Sequence, residues 1–394
     1  MITIGLDLGT GAIKGVCRDS EKGILAKISE RVSFNYPAGN HVELDPKQYT
    51  SQVVNIIQKL AAAADREIYA ISFAAASGNT MLCNKEGEPL TPIISWLDKR
   101  LNDWMPPESW QIRQRTGWKR IPTFTLMHLE YFRRTAPELL KNSIVAMNND
   151  FLTWQLCGKH ILDNSNASPF YLWDQSNNDF VPYLDYYGLS PEQLPEIVPT
   201  GTIAGRLKKE FQQGNLTADT LIVAGCFDHP AGAREAGVVA PGDMLLSCGT
   251  SWVGFYPCVN RDDIPQDELC DTFQSGTNGC WGAMFSIPAV GVEIENFICE
   301  RFGNTADRYE KFNDEALAGD TPSRQLMCRI IDRFKERFDS HPGIRRVVIS
   351  GGPSEGRAWL ALLKEKLPVT VEVSQYHSYT GAAGAAQIAG GLCK

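Results

Sequence analysis

The chemistry-bearing residues at the start of the chain lie around a glycine turn. Asp7, Thr10 and Lys14 are spaced about Gly9-Thr10-Gly11, between two short runs of strand-forming residues. Glycine lets the backbone approach a ligand closely, and backbone N–H groups, a hydroxyl and an ammonium can all point at an anion. Two interpretations are open from this stretch alone: an ordinary hairpin with a chance acid, or a phosphate site formed by Thr10, Gly11 and Lys14. In the second, Asp7 lies where a metal-bound water would neutralise the phosphate.

The same pattern returns in the second half of the chain. Gly249-Thr250-Ser251 also stands between two apolar strand-like runs, and Asp7 of the first copy aligns with Ser247 of the second. Two such hairpins predict a duplicated α/β lobe that grips the phosphate tail of a nucleotide. Because only the first copy keeps the acid, we expect one metal ion.

A third candidate lies where another buried strand ends. Asp228 follows the apolar run 220–224 and precedes a helix rich in small residues. A carboxylate there has room for a substrate against it, which makes Asp228 the leading candidate for a general base. An aspartate at this position could also be the N-cap of the helix, and one side chain can do both.

Further polar groups follow the predicted strand at 67–74. Ser77-Gly78-Asn79 comes directly after it, and α/β folds bind ligands at such strand ends. Trp96 opens a charged cluster that runs to Arg100, which is either a solvated helix start or part of a site. Asp150, Asp163 and Asn166 could each help to hold a polyol, and the sequence does not choose among them.

The C-terminal half offers a place for a nucleoside. The predicted strand 345–350 runs into Gly351-Gly352-Pro353-Ser354 and then into a helix. A strand, a glycine turn and a helix N-terminus form a seat for a nucleoside or phosphate. We therefore assign Gly351, Gly352 and Ser354 to nucleotide binding, together with Gly249 and Thr250.

The elements that must position these residues alternate between strands and helices. Strands are followed by a helix at 45–60 and by another strand, which is typical of an α/β fold. No low-complexity linker interrupts the chain, so two lobes should meet near residue 240. We predict an N-terminal lobe at 1–240 that carries the first phosphate hairpin and binds a sugar or polyol. The C-terminal lobe at 241–394 should bind the nucleotide.

Composition narrows the class of protein. Of the 394 residues, 43% are hydrophobic, which is enough apolar material to form large cores. The net charge of −8 argues against nucleic-acid binding. No apolar run of about 18 residues predicts a membrane span, and the N-terminus enters a strand without a signal-peptide pattern. Eleven cysteines without a C-x-x-C pair indicate buried thiols in a reducing compartment. We expect a cytoplasmic protein without membrane or nucleic-acid partners.

Several other classes can be weighed against these motifs. Gly352-Pro353-Ser354-Glu355-Gly356 matches the G-x-S-x-G signature of serine hydrolases, but no aspartate follows among the last 40 residues. A Rossmann dehydrogenase needs a third glycine where Lys14 stands and a helix where a strand is predicted. The chain lacks the GxxxxGK[ST] loop of P-loop kinases. A non-catalytic actin-like ATP-binding protein would keep both hairpins without needing Asp228.

Taken in order along the chain, the motifs resemble the FGGY family of carbohydrate kinases, within the actin-like ATPase superfamily. The resemblance runs nearly end to end and rests on Asp7 to Lys14, Trp96-x-Asp98-x-Arg100, Thr116-Gly117, Asp228, Gly249-Thr250-Ser251, Gly351-Gly352 and Thr380-Gly381-Ala382. It implies two actin-like, ribonuclease H-like α/β lobes with a cleft between them. It also implies ATP and Mg²⁺, with Asp7 at the metal, Asp228 as catalytic base, and Thr10 and Thr250 facing the phosphates.

Three departures leave the acceptor open. Ser77-Gly78-Asn79 replaces the Met-His-Gly of xylulose kinases, His229 stands where the family often has a small or amide residue, and Pro353 interrupts a small-residue run. The chain is also short for the family. The resemblance implies a kinase of a small sugar, first of all a pentulose such as xylulose or ribulose, with a sugar acid or polyol as the alternative. We expect Ser77, Gly78, Asn79, Trp96 and His229 to contact the acceptor, and a homodimer is the assembly to test.

Overall fold

The computed structural model describes residues 1–122, 124–273 and 281–391. The chain forms two compact units. Unit 1 comprises Met1–Ala231, Cys270–Thr272 and the chain from Gly381 onward, and unit 2 comprises Gly232–Leu269 and Phe273–Thr380. The predicted lobe boundary at residue 240 stays a prediction. It concerns the two copies of a duplicated fold, which need not coincide with these two compact units.

The first part of the chain contains fourteen described strands and eight described α-helices. The strands are β1 (Ile2–Leu8), β2 (Ala12–Asp19), β3 (Gly23–Arg31), β4 (Glu43–Leu44), β5 (Ile68–Ala75), β6 (Met81–Cys83), β7 (Ile93–Ile94), β8 (Ile144–Ala146), β9 (Ile161–Asp163), β10 (Trp173–Asp174), β11 (Asp179–Phe180), β12 (Glu196–Val198), β13 (Ile203–Arg206) and β14 (Leu221–Phe227). The helices are α1 (Pro46–Ala62), α2 (Ile112–Thr116), α3 (Phe124–Thr135), α4 (Pro137–Lys141), α5 (Asn148–Cys157), α6 (Ala167–Phe170), α7 (Leu184–Tyr187) and α8 (Asp228–Glu235).

A six-stranded sheet in the order β13-β14-β5-β1-β2-β3 organises unit 1. β1 pairs antiparallel with β2 and parallel with β5, and β5 pairs parallel with β14. The carboxyl ends of β1, β5 and β14 therefore lie along one edge. Because Asp7, Ser77 and Asp228 stand at or just beyond those three ends, the topology gathers them at a single edge.

Helix α1 shows how the sequence covers one face of this sheet. Asp45 accepts a hydrogen bond from the backbone N–H of Gln48 at the helix start, where Pro46 fits because its missing N–H would have no helical partner. Val53, Ile56 and their apolar neighbours at helical spacing are buried against the strands. Burial of this face, more than helix propensity, holds α1 in place.

The second part of the chain contains six strands and five α-helices among the described residues. They are β15 (Asp243–Cys248), β16 (Trp252–Cys258), β17 (Leu269–Asp271), β18 (Trp281–Ile287), β19 (Arg346–Gly351), β20 (Thr370–Val373), α9 (Val290–Phe302), α10 (Arg308–Leu317), α11 (Pro322–Phe338), α12 (Arg357–Lys366) and α13 (Thr380–Ala389).

The second sheet, in the order β17-β18-β16-β15-β19-β20, repeats the plan of the first. β15 pairs antiparallel with β16 and parallel with β19, just as β1 does with β2 and β5. Each sheet thus has a hairpin turning at a Gly-Thr dipeptide and parallel strands beside it. This confirms the predicted duplication of an α/β lobe.

Small residues allow α13 to pack at very short range against β1 and α8. A Cβ on Gly5 would lie 2.1 Å from the carbonyl oxygen of Ala382, and one on Gly384 would lie 1.9 Å from that of Ala231. Thr3 also donates a hydrogen bond to the carbonyl of Ala386 at 2.9 Å. The backbone of α13 therefore lies in direct contact with its neighbours.

No helix within the described ranges has the length and apolarity needed to cross a membrane.

Candidate active site

The first hairpin places an acid, a hydroxyl and an ammonium around one turn. β1 ends at Leu8 and β2 begins at Ala12, so Gly9-Thr10-Gly11 forms the connection. Asp7 pairs with Lys14 across the two strands. Nothing lies within 4 Å of a Cβ built on Gly11, so the backbone there is open to a ligand. The structure thus gathers the predicted phosphate residues of unit 1.

Asp7 is the electrostatically strained member of this group. Its pKa is raised to about 7, first by burial of the carboxyl group and then by the charge of Asp228, while Lys14 and His229 act in the opposite direction. The tail helix covers it, because a Cβ on Gly381 would lie 2.8 Å from its Oδ2. A cation near Asp7 and Asp228 would relieve this strain.

Asp228 is the first residue of α8, directly after β14. Its Oδ1 accepts a hydrogen bond from the backbone N–H of His229 at 2.8 Å. Burial raises the pKa of Asp228 to about 7, against the effect of backbone hydrogen bonds from His229 and from its own N–H. An N-cap side chain binds the N–H two or three residues further on, a bond that the described contacts of Asp228 do not include. The described hydrogen bonds therefore do not show Asp228 as the N-cap of α8, and its role as general base stays a prediction.

His229 interacts with both carboxylates, because it lies next to Asp228 and the charge of Asp7 acts on its pKa. Its Nε2 is 3.6 Å from Oδ1 of Asp228, and its ring packs edge-on against Phe227. Burial lowers the pKa of His229 to about 4, although the charge of Asp7 raises it in part. A neutral imidazole can both donate and accept a hydrogen bond, which suits contact with a sugar hydroxyl.

The loop after β5 is tied to a second polar loop. Ser77 donates a hydrogen bond to the side-chain oxygen of Asn166, and Asn166 in turn donates from its backbone and side-chain nitrogens to Asp163 at 2.7 and 2.8 Å. Burial raises the pKa of Asp163 to about 7 even though these bonds lower it. Asp163 and Asn166 therefore hold Ser77 in place.

Asp150, the other polyol candidate, has a structural role. Its Oδ1 accepts from the backbone N–H of Met147 at 2.8 Å, which fixes the start of α5, and its Oδ2 lies 2.8 Å from Nε2 of His160. Both carboxylate oxygens are thus engaged away from Ser77 and Asn166.

Trp96 joins the loop after β5 to the first hairpin. Its backbone N–H donates to Oδ1 of Asn79 at 2.9 Å, and its indole N–H donates to Oγ1 of Thr10 at 2.9 Å. Its ring stacks on Phe124 with centroids 6.2 Å apart and an interplanar angle of 11°. The side chain is therefore fixed on three sides.

The charged cluster after Trp96 is not a helix, and the side chains of Asp98 and Arg100 within it are buried. Asp98 is fully buried and accepts hydrogen bonds from the backbone of Val42 at 2.7 Å and from Nε and Nη2 of Arg100 at 2.9 and 2.8 Å. Arg100 also pairs with Glu43 at 2.7 Å. Burial opposes ionisation of Asp98, but these hydrogen bonds outweigh it and lower its pKa. The interpretation as a solvated helix start was wrong, since the cluster anchors the Trp96 loop from within.

Gly78 is covered by an aromatic ring that the sequence did not reveal. Gly78 has φ of +98°, and a Cβ on it would lie 1.8 Å from Cδ1 of Phe124. Phe124 itself adopts a left-handed φ of +61° and packs edge-on against Trp118, which in turn contacts Phe227. An aromatic wall thus runs from Trp96 to the residue before Asp228.

The second hairpin, in unit 2, has its own support. Gly249-Thr250-Ser251 connects β15 to β16, and the carbonyl of Thr250 accepts a hydrogen bond from the backbone N–H of Gly291 at 2.9 Å. A Cβ on Gly291 would lie 2.5 Å from the carbonyl oxygen of Gly249. The start of α9 therefore packs directly behind the turn, while Gly249 and Thr250 themselves are exposed.

The predicted nucleoside turn follows β19 in the same unit. Gly351 has φ of +87°, and a Cβ on it would lie 2.2 Å from the carbonyl oxygen of Cys248, whereas nothing surrounds a Cβ on Gly352 within 4 Å. Ser354 Oγ donates to the carbonyl of Gly351 at 2.6 Å and lies 3.0 Å from Nδ1 of His377. Ser354 Oγ therefore contacts both the backbone of the turn and the imidazole of His377. Its hydroxyl supports the turn.

Residues 2–233 match the N-terminal domain of the FGGY family of carbohydrate kinases. The chain belongs to this family. It is 28% identical over 274 residues to the xylulose kinase of Escherichia coli (strain K12), with 67% of this chain and 56% of that protein covered. It is 27% identical over 343 residues to a probable glycerol kinase of Caenorhabditis elegans, with 79% and 66% covered. The chain therefore spans little more than half the length of the first of these relatives and about two thirds of the second.

Solved FGGY structures share the fold. The ligand-bound xylulose kinase from Lactobacillus acidophilus superposes with a TM-score of 0.84 at 18% identity, covering 100% of this chain and 90% of that chain. At this identity the likeness concerns architecture alone. It confirms the predicted class of two α/β lobes, and the cleft between them stays a prediction.

The FGGY resemblance implies Mg²⁺, and the residues of unit 1 fit such an ion. Asp7 offers a carboxylate oxygen, the type of ligand that Mg²⁺ prefers. The charge of Asp228 acts on the same carboxyl group, so a cation there would be favourable. Within the ranges that the structure describes, no cluster of three or more His, Cys, Asp or Glu side chains could hold a metal ion. In the implied arrangement Asp7 would supply a protein oxygen, and water and phosphate oxygens would supply further ligands, as is usual for Mg²⁺.

Proposed function

We propose that this FGGY protein is an ATP-dependent kinase that transfers the γ-phosphoryl group to a hydroxyl of a small sugar, with a pentulose such as xylulose or ribulose as the first candidate. The observation that carries the proposal is Asp228. It is a carboxylate with a pKa near 7 at the end of a buried strand, electrostatically coupled to Asp7 of the Gly-Thr hairpin. Family membership over residues 2–233 supports it.

In this proposal Asp228 acts as the general base. The acceptor hydroxyl donates a hydrogen bond to the carboxylate, its oxygen forms a bond to the γ-phosphorus, and the bond from that phosphorus to the leaving oxygen of ADP breaks. The hydroxyl proton passes to Asp228. A base with a pKa near 7 is well matched to this task at neutral pH, and the same group orients the hydroxyl in line for attack.

The phosphate ligands in the proposal come from both Gly-Thr hairpins. Thr10, Gly11 and Lys14 would hold phosphate oxygens from unit 1, and Gly249 and Thr250 from unit 2. A Mg²⁺ ion held through Asp7 would neutralise charge on the phosphates.

The nucleoside would lie against Gly351 and Gly352. The open space over Gly352 supports this assignment, since a side chain there would narrow the approach. Ser354 contributes by holding the turn of Gly351.

The acceptor would lie among Ser77, Gly78, Asn79, Trp96 and His229. Ser77 and Asn79 supply polar groups on a loop that is fixed by buried partners. Gly78 leaves the ring of Phe124 in the space that a side chain would otherwise fill. The likeness to a probable glycerol kinase supports a polyol as the second candidate acceptor. A sugar acid is the further alternative. A homodimer and a cytoplasmic location remain predictions.

The test is acceptor-dependent release of ADP. Purified protein with ATP and Mg²⁺ is assayed against a panel of ketopentoses, aldonates and polyols, with Asp228→Asn as the matched control. The proposal expects at least one acceptor to stimulate ADP release in the wild type and not in the variant. Nucleotide binding without stimulation by any acceptor would favour the non-catalytic ATP-binding alternative instead.

A further inference from the structure

The hydrogen bond between Trp96 and Thr10 has a defined direction. An indole N–H can only donate, so Oγ1 of Thr10, 2.9 Å away, must be the acceptor. A hydroxyl has one proton and two lone pairs. With one lone pair taken by Trp96, the proton of Thr10 is left to be donated to another acceptor.

We infer that Trp96 is a positioning residue that fixes the Thr10 hydroxyl as a hydrogen-bond donor to a nucleotide phosphate. The inference rests on the proposed function, since it needs a nucleotide at the first hairpin. A phosphate oxygen accepts a hydrogen bond from a hydroxyl. A hydroxyl that is already oriented as a donor therefore binds phosphate without first breaking a different hydrogen bond.

The same residue connects the hairpin to the acceptor side of the site. The backbone N–H of Trp96 is held by Asn79, which follows β5, and its ring is held by Phe124, which covers Gly78. Trp96 is therefore hydrogen-bonded to Asn79 through its backbone and to Thr10 through its ring.

The chemistry requires tryptophan rather than any aromatic residue. Phenylalanine at position 96 would keep an aromatic ring against Phe124 and remove only the N–H. At position 10, serine keeps the hydroxyl, whereas valine keeps the shape of threonine and loses it. These substitutions separate the hydrogen bond from the packing.

The first experiment measures ADP affinity by calorimetry without any acceptor, so that lost sugar contacts cannot contribute. Trp96→Phe should weaken binding by roughly three- to tenfold, as expected for one neutral hydrogen bond. Thr10→Val should weaken it at least as much, Thr10→Ser should restore it, and the double variant with Trp96→Phe should resemble Thr10→Val alone. Trp154→Phe, whose ring lies instead against His160, is the matched control.

The second readout needs no nucleotide. The indole N–H resonance of Trp96, assigned by its loss in Trp96→Phe, should shift and exchange faster in Thr10→Val and stay in place in Thr10→Ser. Wild-type affinity in Trp96→Phe, or additive losses in the double variant, would overturn the inference while leaving the kinase proposal intact. A wild-type protein that binds no nucleotide would overturn both.

Discussion

Replacing Asp228 with asparagine should lower activity and raise stability at the same time. Asparagine keeps the shape of the side chain but cannot take the proton from the acceptor hydroxyl. General-base catalysis is worth about 10² to 10⁴ in rate, so the turnover number should fall by at least roughly a hundredfold. ADP affinity should change little, because the proposed phosphate ligands are other residues.

The gain in stability follows from the pKa of Asp228. Burial raises it from 3.8 to about 7, so the folded protein keeps a proton that the unfolded chain releases between those pH values. Stability therefore falls as pH rises through this window and stays reduced above about pH 7. Asparagine carries no charge, so Asp228→Asn should be more stable at pH 8 by about 2–4 kcal/mol. The gain should shrink as pH falls towards 4.

The assays are urea unfolding at pH 8 and pH 5 and steady-state ADP release. Asp185→Asn, an exposed carboxylate in α7, is the control and should show neither effect. Equal stability of variant and wild type at both pH values would refute the electrostatic argument. Activity within about threefold of wild type would remove Asp228 from the mechanism and return it to a helix-capping role.

Three further substitutions test the elements around the site. Asp98→Ala leaves a buried guanidinium without its main partner and should cost about 3–5 kcal/mol in urea unfolding, whereas the exposed Asp103→Ala should change stability by less than about 0.5 kcal/mol. Gly384→Ala forces a methyl group against a backbone carbonyl and should cost about 3 kcal/mol or prevent folding, while Gly39→Ala, in open space, should be neutral in thermal melts. Phe124→Leu keeps apolar volume but loses ring stacking, so the KM for the acceptor should rise roughly three- to tenfold with less change in the KM for ATP; an equal rise in both would contradict an acceptor-side position.

The sequence predicted the features whose causes are local. Both hairpin turns are predicted by their own residue types, in Gly9-Thr10-Gly11 and Gly249-Thr250-Ser251. The strand ends before Ser77 and Asp228 are predicted by the points at which the hydrophobic runs stop. The duplicated sheets follow from these short-range signals.

Contacts between distant segments could not be read in the same way. Phe124, at the start of α3, covers Gly78, and both residues have a left-handed backbone conformation. Neither residue type predicts this contact. The burial of Asp98 depends on Arg100 and on the backbone of a loop more than fifty residues earlier. Charged residues in a short run look solvated in a sequence, and only the fold reveals that they are buried as a pair.

The central claim, transfer of a phosphoryl group to a sugar hydroxyl, is tested most directly by the product. Protein, ATP, Mg²⁺ and the most stimulating acceptor are incubated, and the acceptor is analysed by mass spectrometry and ³¹P NMR. The account predicts an acceptor heavier by one HPO₃ unit with a phosphate monoester signal, formed in step with ADP and absent with Asp228→Asn. ADP accompanied by inorganic phosphate alone, with the acceptor unchanged, would contradict it.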